Sequence, residues 1–138
     1  MTTPAPIAAR RIPDRQRAKY AGKLFGPRFI YVESFVFDTA SSLSTAYDGG
    51  HWTFYALSNG GFYFSPDSPA LFPVSAFNGY EGVLSRDAFG IACCMSAYSL
   101  LSFNPDKQLS KNSADQFHRL REFLMSHPEA QQILAVLD

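Results

Sequence analysis

Asp48, His51 and Cys94 are the residue types that would make a thiol hydrolase: a nucleophile, a base to take its proton and a carboxylate to orient the base. Their placement along the chain does not support that reaction. There is no nucleophile elbow, and Cys94 lies in the most apolar stretch of the sequence, where a thiol stays protonated and unreactive. Cys93 cannot chelate an ion together with it, because neighbouring side chains on a helix diverge by about 100°, and a bridge between neighbours is badly strained. Both read as buried, inert thiols. The three histidines, His51, His118 and His127, follow no metal-ligand spacing, and no CxxC pair occurs. His118 reads as a surface partner of Glu122 and His127 as a helix cap. Gly49-Gly50 and Gly60-Gly61 lack the strand–GxGxxG–helix and GxxxxGK settings of phosphate loops and read as turn glycines. No catalytic residue, metal or cofactor is expected, and the chain is not expected to be an enzyme.

The element that must position His51 is a hairpin in Asp48–Pro66, DGGHWTFYALSNGGFYFSP. Asn-Gly between two aromatic runs is a strong signal for a two-residue type I′ turn. With Asn59-Gly60 as that turn, Leu57 faces Phe62, Ala56 faces Tyr63 and Tyr55 faces Phe64. One face then carries Tyr55, Leu57, Phe62 and Phe64, and the other Trp52, Phe54, Ala56 and Tyr63. A half-solvated sheet would be polar on one face. This hairpin is therefore either sandwiched, with Trp52 and Tyr63 under helices, or keeps an aromatic rim for a partner. Tyr and Trp are frequent interface anchors. His51, Trp52, Asn59 and Tyr63 are accordingly the candidate partner-binding residues.

Residues 1–13, broken by Pro4, Pro6 and Pro13, read as a flexible N-terminal arm whose removal would leave the fold intact, with the domain proper spanning residues 14–138. Helices are expected over Asp14–Ala21, Val32–Ala46 and Ala88–Phe103, the last apolar almost all round and hence central. Ser113-Ala114-Asp115-Gln116 reads as a capping box opening a fourth helix, and Pro128 as the first position of a fifth. Leu71–Phe77 and Tyr80–Leu84, joined by Asn78-Gly79, are two further strands, with Pro73 confining the first to an edge. The expected architecture is a single α+β domain: a small antiparallel meander of three to four strands packed by about five helices.

Twelve acidic and twelve basic residues leave no net charge. DNA carries one charge per about 1.7 Å of helix axis, and a balanced chain cannot imitate that field. The charges are uneven, however: residues 1–28 sum to +6 and residues 29–138 to −6. A small nucleic-acid-binding module using Arg10, Arg11, Arg15 and Arg17 with the aromatic hairpin is the alternative reading. Against it, residues 29–105 hold only Arg86 among six acids, so direct nucleic-acid binding is not the expected mode. No apolar run approaches the ~20 residues of a membrane span, and the first residues do not read as a secretory signal, so cytoplasmic residence is expected.

Asp48-Gly49-Gly50-His51-Trp52, Phe54-Tyr55, Leu57–Tyr63 and Asn78-Gly79 together resemble antirestriction proteins of the ArdB/KlcA type, found on plasmids and mobile elements. Lys23–Arg28, His118–Phe123 and His127–Ala130 fit the same pattern, so the resemblance spans roughly residues 14–138. It implies relief of type I restriction in the host cell, protecting incoming DNA by contact with the restriction enzyme complex or a host factor acting on it. It brings no catalytic residues with it.

Overall fold

Each Asn-Gly segment closes a hairpin, and the two hairpins belong to different sheets. In the computed structural model, which describes residues 6–138, β1 (Ala9–Ile12), β2 (Trp52–Leu57) and β3 (Phe62–Pro66) form one antiparallel sheet in that order. β4 (Leu71–Ser75) and β5 (Glu81–Ser85) form a second, two-stranded sheet. Five α-helices complete the domain: α1 (Arg17–Phe25), α2 (Phe29–Leu43), α3 (Arg86–Leu101), α4 (Lys107–Leu124) and α5 (Ala130–Leu137). One contiguous core runs through all of them. The antiparallel α+β domain expected from the sequence is therefore the one observed, with its strands divided between two sheets. No helix among the described residues is long and apolar enough to cross a membrane.

The turn geometry differs from the expected one and changes the faces of the hairpin. Gly60 N donates to Leu57 O and Leu57 N to Gly61 O, both at 2.9 Å, so the loop is Ser58-Asn59-Gly60. Within this loop Gly60 alone takes positive φ, +86°, and among the described residues only glycines do so. This is a type I turn closed by a glycine bulge, not a type I′ turn. The extra loop residue shifts the register by one, pairing Tyr55 with Tyr63 and Phe54 with Phe64. A one-residue slip moves a strand's side chains to the other face. Trp52, Phe54, Ala56, Phe62 and Phe64 now share a single aromatic face, covered by Phe29 and Phe37 of α2 and Tyr20 of α1. Thr53, Tyr55, Tyr63 and Ser65 lie on the other. The β4–β5 turn repeats the same construction: Ala76 N donates to Tyr80 O, Gly79 N to Ala76 O, and Gly79 has φ +94°.

The N-terminal arm is corrected for its second half. Arg10 pairs with Ala56 and Ile12 with Phe54 across β1 and β2, and Ile12 is fully buried. Ile12, after two arginines, and the partly buried Ile7 suffice as anchors because the outer edge of β2 offers a ready ladder of unpaired backbone groups. Residues 1–5 of the expected arm lie outside the described residues. The first helix is split, with a 3-10 turn at Asp14–Gln16 preceding α1. The expected capping box at Ser113 is also overturned. Asp106 caps α4, its Oδ1 accepting from the backbone of Gln108 and Leu109 at 3.0 and 3.2 Å, and Ser113 is buried inside the helix. Cap-and-acid sequences score alike wherever they fall; Asn104-Pro105 supplies the stop that makes Asp106 the true start.

The apolar helix α3 is central, as expected, and Ser85 caps it by accepting from Ala88 N at 3.1 Å. It packs on α2, α4 and β3. In β4, Phe72 stacks on Phe89 of α3 with centroids 4.1 Å apart, fastening the second sheet to the same helix.

Candidate functional site

The candidate residues distribute over three stations along the β2–β3 hairpin: its base, its middle and its tip. At the base, His51 precedes β2 and Asp67 follows β3, so strand pairing brings them together across the sheet. His51 Nδ1 lies 2.6 Å from Asp67 Oδ2, and Thr53 donates its hydroxyl to Asp67 Oδ1 at 2.5 Å. Arg17 of α1 donates to His51 Nε2 and to Trp52 O, each at 2.8 Å, while its guanidinium sits 4.1 Å above the Phe54 ring. With Nε2 accepting from Arg17, His51 carries its proton on Nδ1 and donates it to Asp67. Burial raises the Asp67 carboxyl, but the bonds from Thr53 and His51 outweigh it, and the net direction is below the usual carboxylate value. The dyad looks like half of a hydrolase, yet the nitrogen a general base needs is occupied by Arg17. The nearest hydroxyl, Thr53, is spent on the carboxylate.

In the middle, Tyr63 donates to Asp87 Oδ1 at 2.6 Å, and His127 Nε2 lies 2.8 Å from Asp87 Oδ2. Glu129 N donates to His127 Nδ1, so His127 holds its proton on Nε2 and donates to the carboxylate. This ties β3, the first turn of α3 and the α4–α5 loop to one half-buried carboxylate. Tyr63 is sandwiched by Tyr55 at 5.0 Å and Phe123 at 5.9 Å. Burial and the adjacent Asp87 push its phenol far above the ordinary range. The expected role of His127 as a plain helix cap misses its bond to Asp87.

At the tip, Asn59 Oδ1 accepts from Gly61 N inside the turn, and its Nδ2 donates to Arg119 O and Glu122 Oε2 at 3.0 Å. Gln116 and Arg119 of α4 both donate to Gly60 O. The side chain of Glu122 is thus taken by Asn59 and not by His118, and Asp115 pairs with Lys111.

Of the four partner-binding candidates, Trp52 and Tyr63 are 1% and 2% exposed and cannot present a surface; they lie under helices. His51 keeps 44% of its side chain exposed, and Asn59 is part-exposed at the turn. Of the basic candidates, Arg10, Arg11 and Arg15 are exposed and Arg17 is half-buried in the His51 station. The aromatic platform that would accompany them is covered. Cys94 is fully buried and its thiol pushed up to about 12 by burial, and Cys93 is pushed up for the same reason. Among the described residues, no three His, Cys, Asp or Glu side chains gather as a metal site. The Asp67 and Asp87 junctions were missed from sequence because their partners lie 14 to 40 positions away, and only strand register at Asp67 and the packing of α3 on β3 and the α4–α5 loop at Asp87 bring them together.

Comparison with known proteins identifies the fold and the family. The model of the family described as "Antirestriction protein" matches residues 45–138, which contain β2 to α5. Antirestriction protein KlcA of Escherichia coli is 35% identical over 140 residues, spanning 98% of this chain and 96% of its own. Uncharacterized protein YafX of Escherichia coli K12 is 35% identical over 134 residues, 92% of this chain and 85% of its own. A solved structure superposes with a TM-score of 0.89 at 34% identity, covering 100% of this chain and 99% of that one. It comes from work reporting that KlcA and ArdB proteins have a novel fold and antirestriction activity against type I DNA restriction systems in vivo but not in vitro. The chain belongs to the antirestriction protein family.

Proposed function

We propose that this chain relieves type I restriction inside a recipient cell, protecting incoming plasmid or mobile-element DNA, and that it does so by protein contact without catalysing a reaction. The full-length match to a structure from a group active against type I systems carries this reading. The charge balance supports contact over imitation of DNA, since twelve acids offset by twelve bases offer no phosphate ladder. The reported split for the relatives, active in vivo but not in vitro, supports a partner that purified restriction enzyme alone does not supply: the enzyme as it works in the cell, or a host factor acting on it. His51 and Asn59 are the contact residues this reading retains, because Trp52 and Tyr63 are enclosed. The nucleic-acid reading keeps a basic edge at Arg10, Arg11 and Arg15 but loses its stacking surface.

The test is transformation of restricting and non-restricting recipients with unmodified plasmid. Expression of this chain should bring the restricting strain close to the non-restricting one. An unchanged gap at confirmed expression would overturn the proposal.

A further inference from the structure

The outer edge of β1 is open. Ser58 N donates to Ala8 O, and Arg10 and Ile12 lie opposite Ala56 and Phe54 of β2. Hydrogen-bonded pairs alternate along an antiparallel ladder, so Ala8, Arg10 and Ile12 turn their backbone groups toward β2. Ala9 and Arg11 turn theirs away. Those two N–H and two C=O groups have no hydrogen-bond partner among the described residues, and Ala9, Arg10 and Arg11 are exposed. The other edges carry guards. Cys94 and Tyr98 of α3 occupy that of β3. Pro73 removes the central outward donor from β4, and Glu129 takes Ser85 N on β5. An open edge is a template for another strand.

The chemistry of this edge selects its occupant. Successive side chains on a strand point to opposite faces. Arg10 therefore shares a face with Ala56 and Phe62, under α1, while Arg11 lies beside Tyr55 on the other. Neither arginine makes an ion pair among the described residues, and Asp14, three residues beyond Arg11, is engaged by Arg17 and His51. A second copy of this chain would bring its own arginines against these, and like charges opposed across strands are unfavourable. A DNA phosphodiester can accept from the Ala9 and Arg11 N–H groups but has no donor for their carbonyls. A peptide backbone offers both.

We propose that the protein contact inferred above is made here, a placement that rests on that reading: an extended segment of the partner, acidic at the two adjacent positions facing Arg10 and Arg11, adds to the first sheet beyond β1 as its fourth strand. The main-chain ladder supplies affinity, and the two arginines, one on each face, select the acidic pair.

Fluorescence anisotropy of the full chain with a labelled octapeptide, Thr-Val-Thr-Glu-Glu-Thr-Val-Thr, tests the site. The peptide should bind, and its counterpart with Lys-Lys at the centre should bind weaker by about tenfold or more. Ala9→Pro keeps every charge and every bond to β2 but removes one outward donor. It should weaken acidic-peptide binding by about tenfold while its melting temperature stays close to that of the parent. The double variant Arg10→Glu, Arg11→Glu should prefer the lysine peptide. Absence of acidic-peptide binding overturns the proposal, as does equal binding by the Ala9→Pro protein. Tighter binding of a thymidine oligonucleotide, unaffected by Ala9→Pro, overturns it in favour of nucleic acid. In restricting cells Ala9→Pro should lose the relief that the parent provides. Equal relief by both removes β1 as the contact and leaves restriction relief standing, whereas no relief by a parent that binds the peptide defeats restriction relief itself.

Discussion

Cys94 Sγ lies 3.5 Å from both the backbone nitrogen and the carbonyl oxygen of Phe64, so one thiol takes both outward-facing groups of that residue on β3. One turn further along α3, Tyr98 donates its hydroxyl to Phe62 O at 2.7 Å. One turn back, Gly90 lies against Ser65, with no room for a Cβ. The stripe Gly90, Cys94, Tyr98 recurs every four residues, one face of a helix. It closes the β3 edge of the first sheet, which would otherwise offer unpaired backbone groups to other chains. The cysteine that looked most like a nucleophile is part of the seal.

Gly90→Ala should therefore be severe. The added Cβ would sit 2.3 Å from Ser65 Cβ and 2.6 Å from Phe64 O, and the latter is backbone that cannot turn aside. A loss of about 1–3 kcal/mol or more is expected by denaturant titration. A stability equal to the parent would mean that α3 does not pack this closely on β3.

The two thiols should be silent toward a thiol reagent in the native protein and both react once it is unfolded in guanidinium. Burial encloses Cys93 and Cys94 and raises both thiols. Rapid labelling of the folded protein would contradict the seal.

Asn59→Asp separates the two jobs of the tip asparagine. The carboxylate keeps the acceptor for Gly61 N but loses the donor to Arg119 O and faces Glu122 Oε2. It should destabilise by about 1–3 kcal/mol, and more than Asn59→Ser. Equal stability of Asn59→Asp and the parent would show that the clamp to α4 contributes nothing.

Acid sensitivity should concentrate at Asp87. Burial raises its carboxyl, but the bonds from His127 and Tyr63 outweigh this and hold it below the ordinary value. A depressed folded value means stability present above the unfolded value of about 3.9 and lost as pH falls through the folded one. Urea midpoints should thus decline below about pH 4, and Asp87→Asn, less stable at neutral pH, should show a flatter acid limb. An unchanged limb would place the acid response elsewhere.

His51→Ala and Trp52→Ala should part company. Trp52 is enclosed by Phe37, Tyr47 and Phe64, and its loss should cost about 3–5 kcal/mol and take activity with it. His51 is exposed, so its loss should reduce restriction relief at nearly unchanged melting temperature. Full activity in a stable His51→Ala protein would remove it from the contact surface.

Much of the fold was readable before any coordinates. The hairpin signals at Asn59-Gly60 and Asn78-Gly79, the spacing of Val36, Ala40, Leu43 and Tyr47, whose last member falls beyond the end of α2, and the all-round apolar α3 each carry a period or turn signature of their own. What failed depended on counting to one residue or on long-range pairing. Type I′ and bulged type I turns share the Asn-Gly signature, yet they place Tyr63 on opposite faces. Ile12 alone could not announce a strand, since its pairing is decided by the open edge of β2. Of the site, the hairpin was legible, but the Asp67 and Asp87 junctions were not, because each assembles from three elements separated in sequence. Removing residues 1–12 now predicts a loss of stability, as it strips β1 and the buried Ile12.

The most direct test of the central claim is the plating efficiency of unmodified phage on cells carrying a type I restriction system, with and without this chain. Plating should rise toward that on a non-restricting host when the chain is expressed, while purified type I enzyme should cleave DNA equally well with or without it. Unchanged plating at confirmed expression would contradict the proposed function. Salt-sensitive competition with DNA in the purified reaction would contradict the assignment of protein contact over charge imitation.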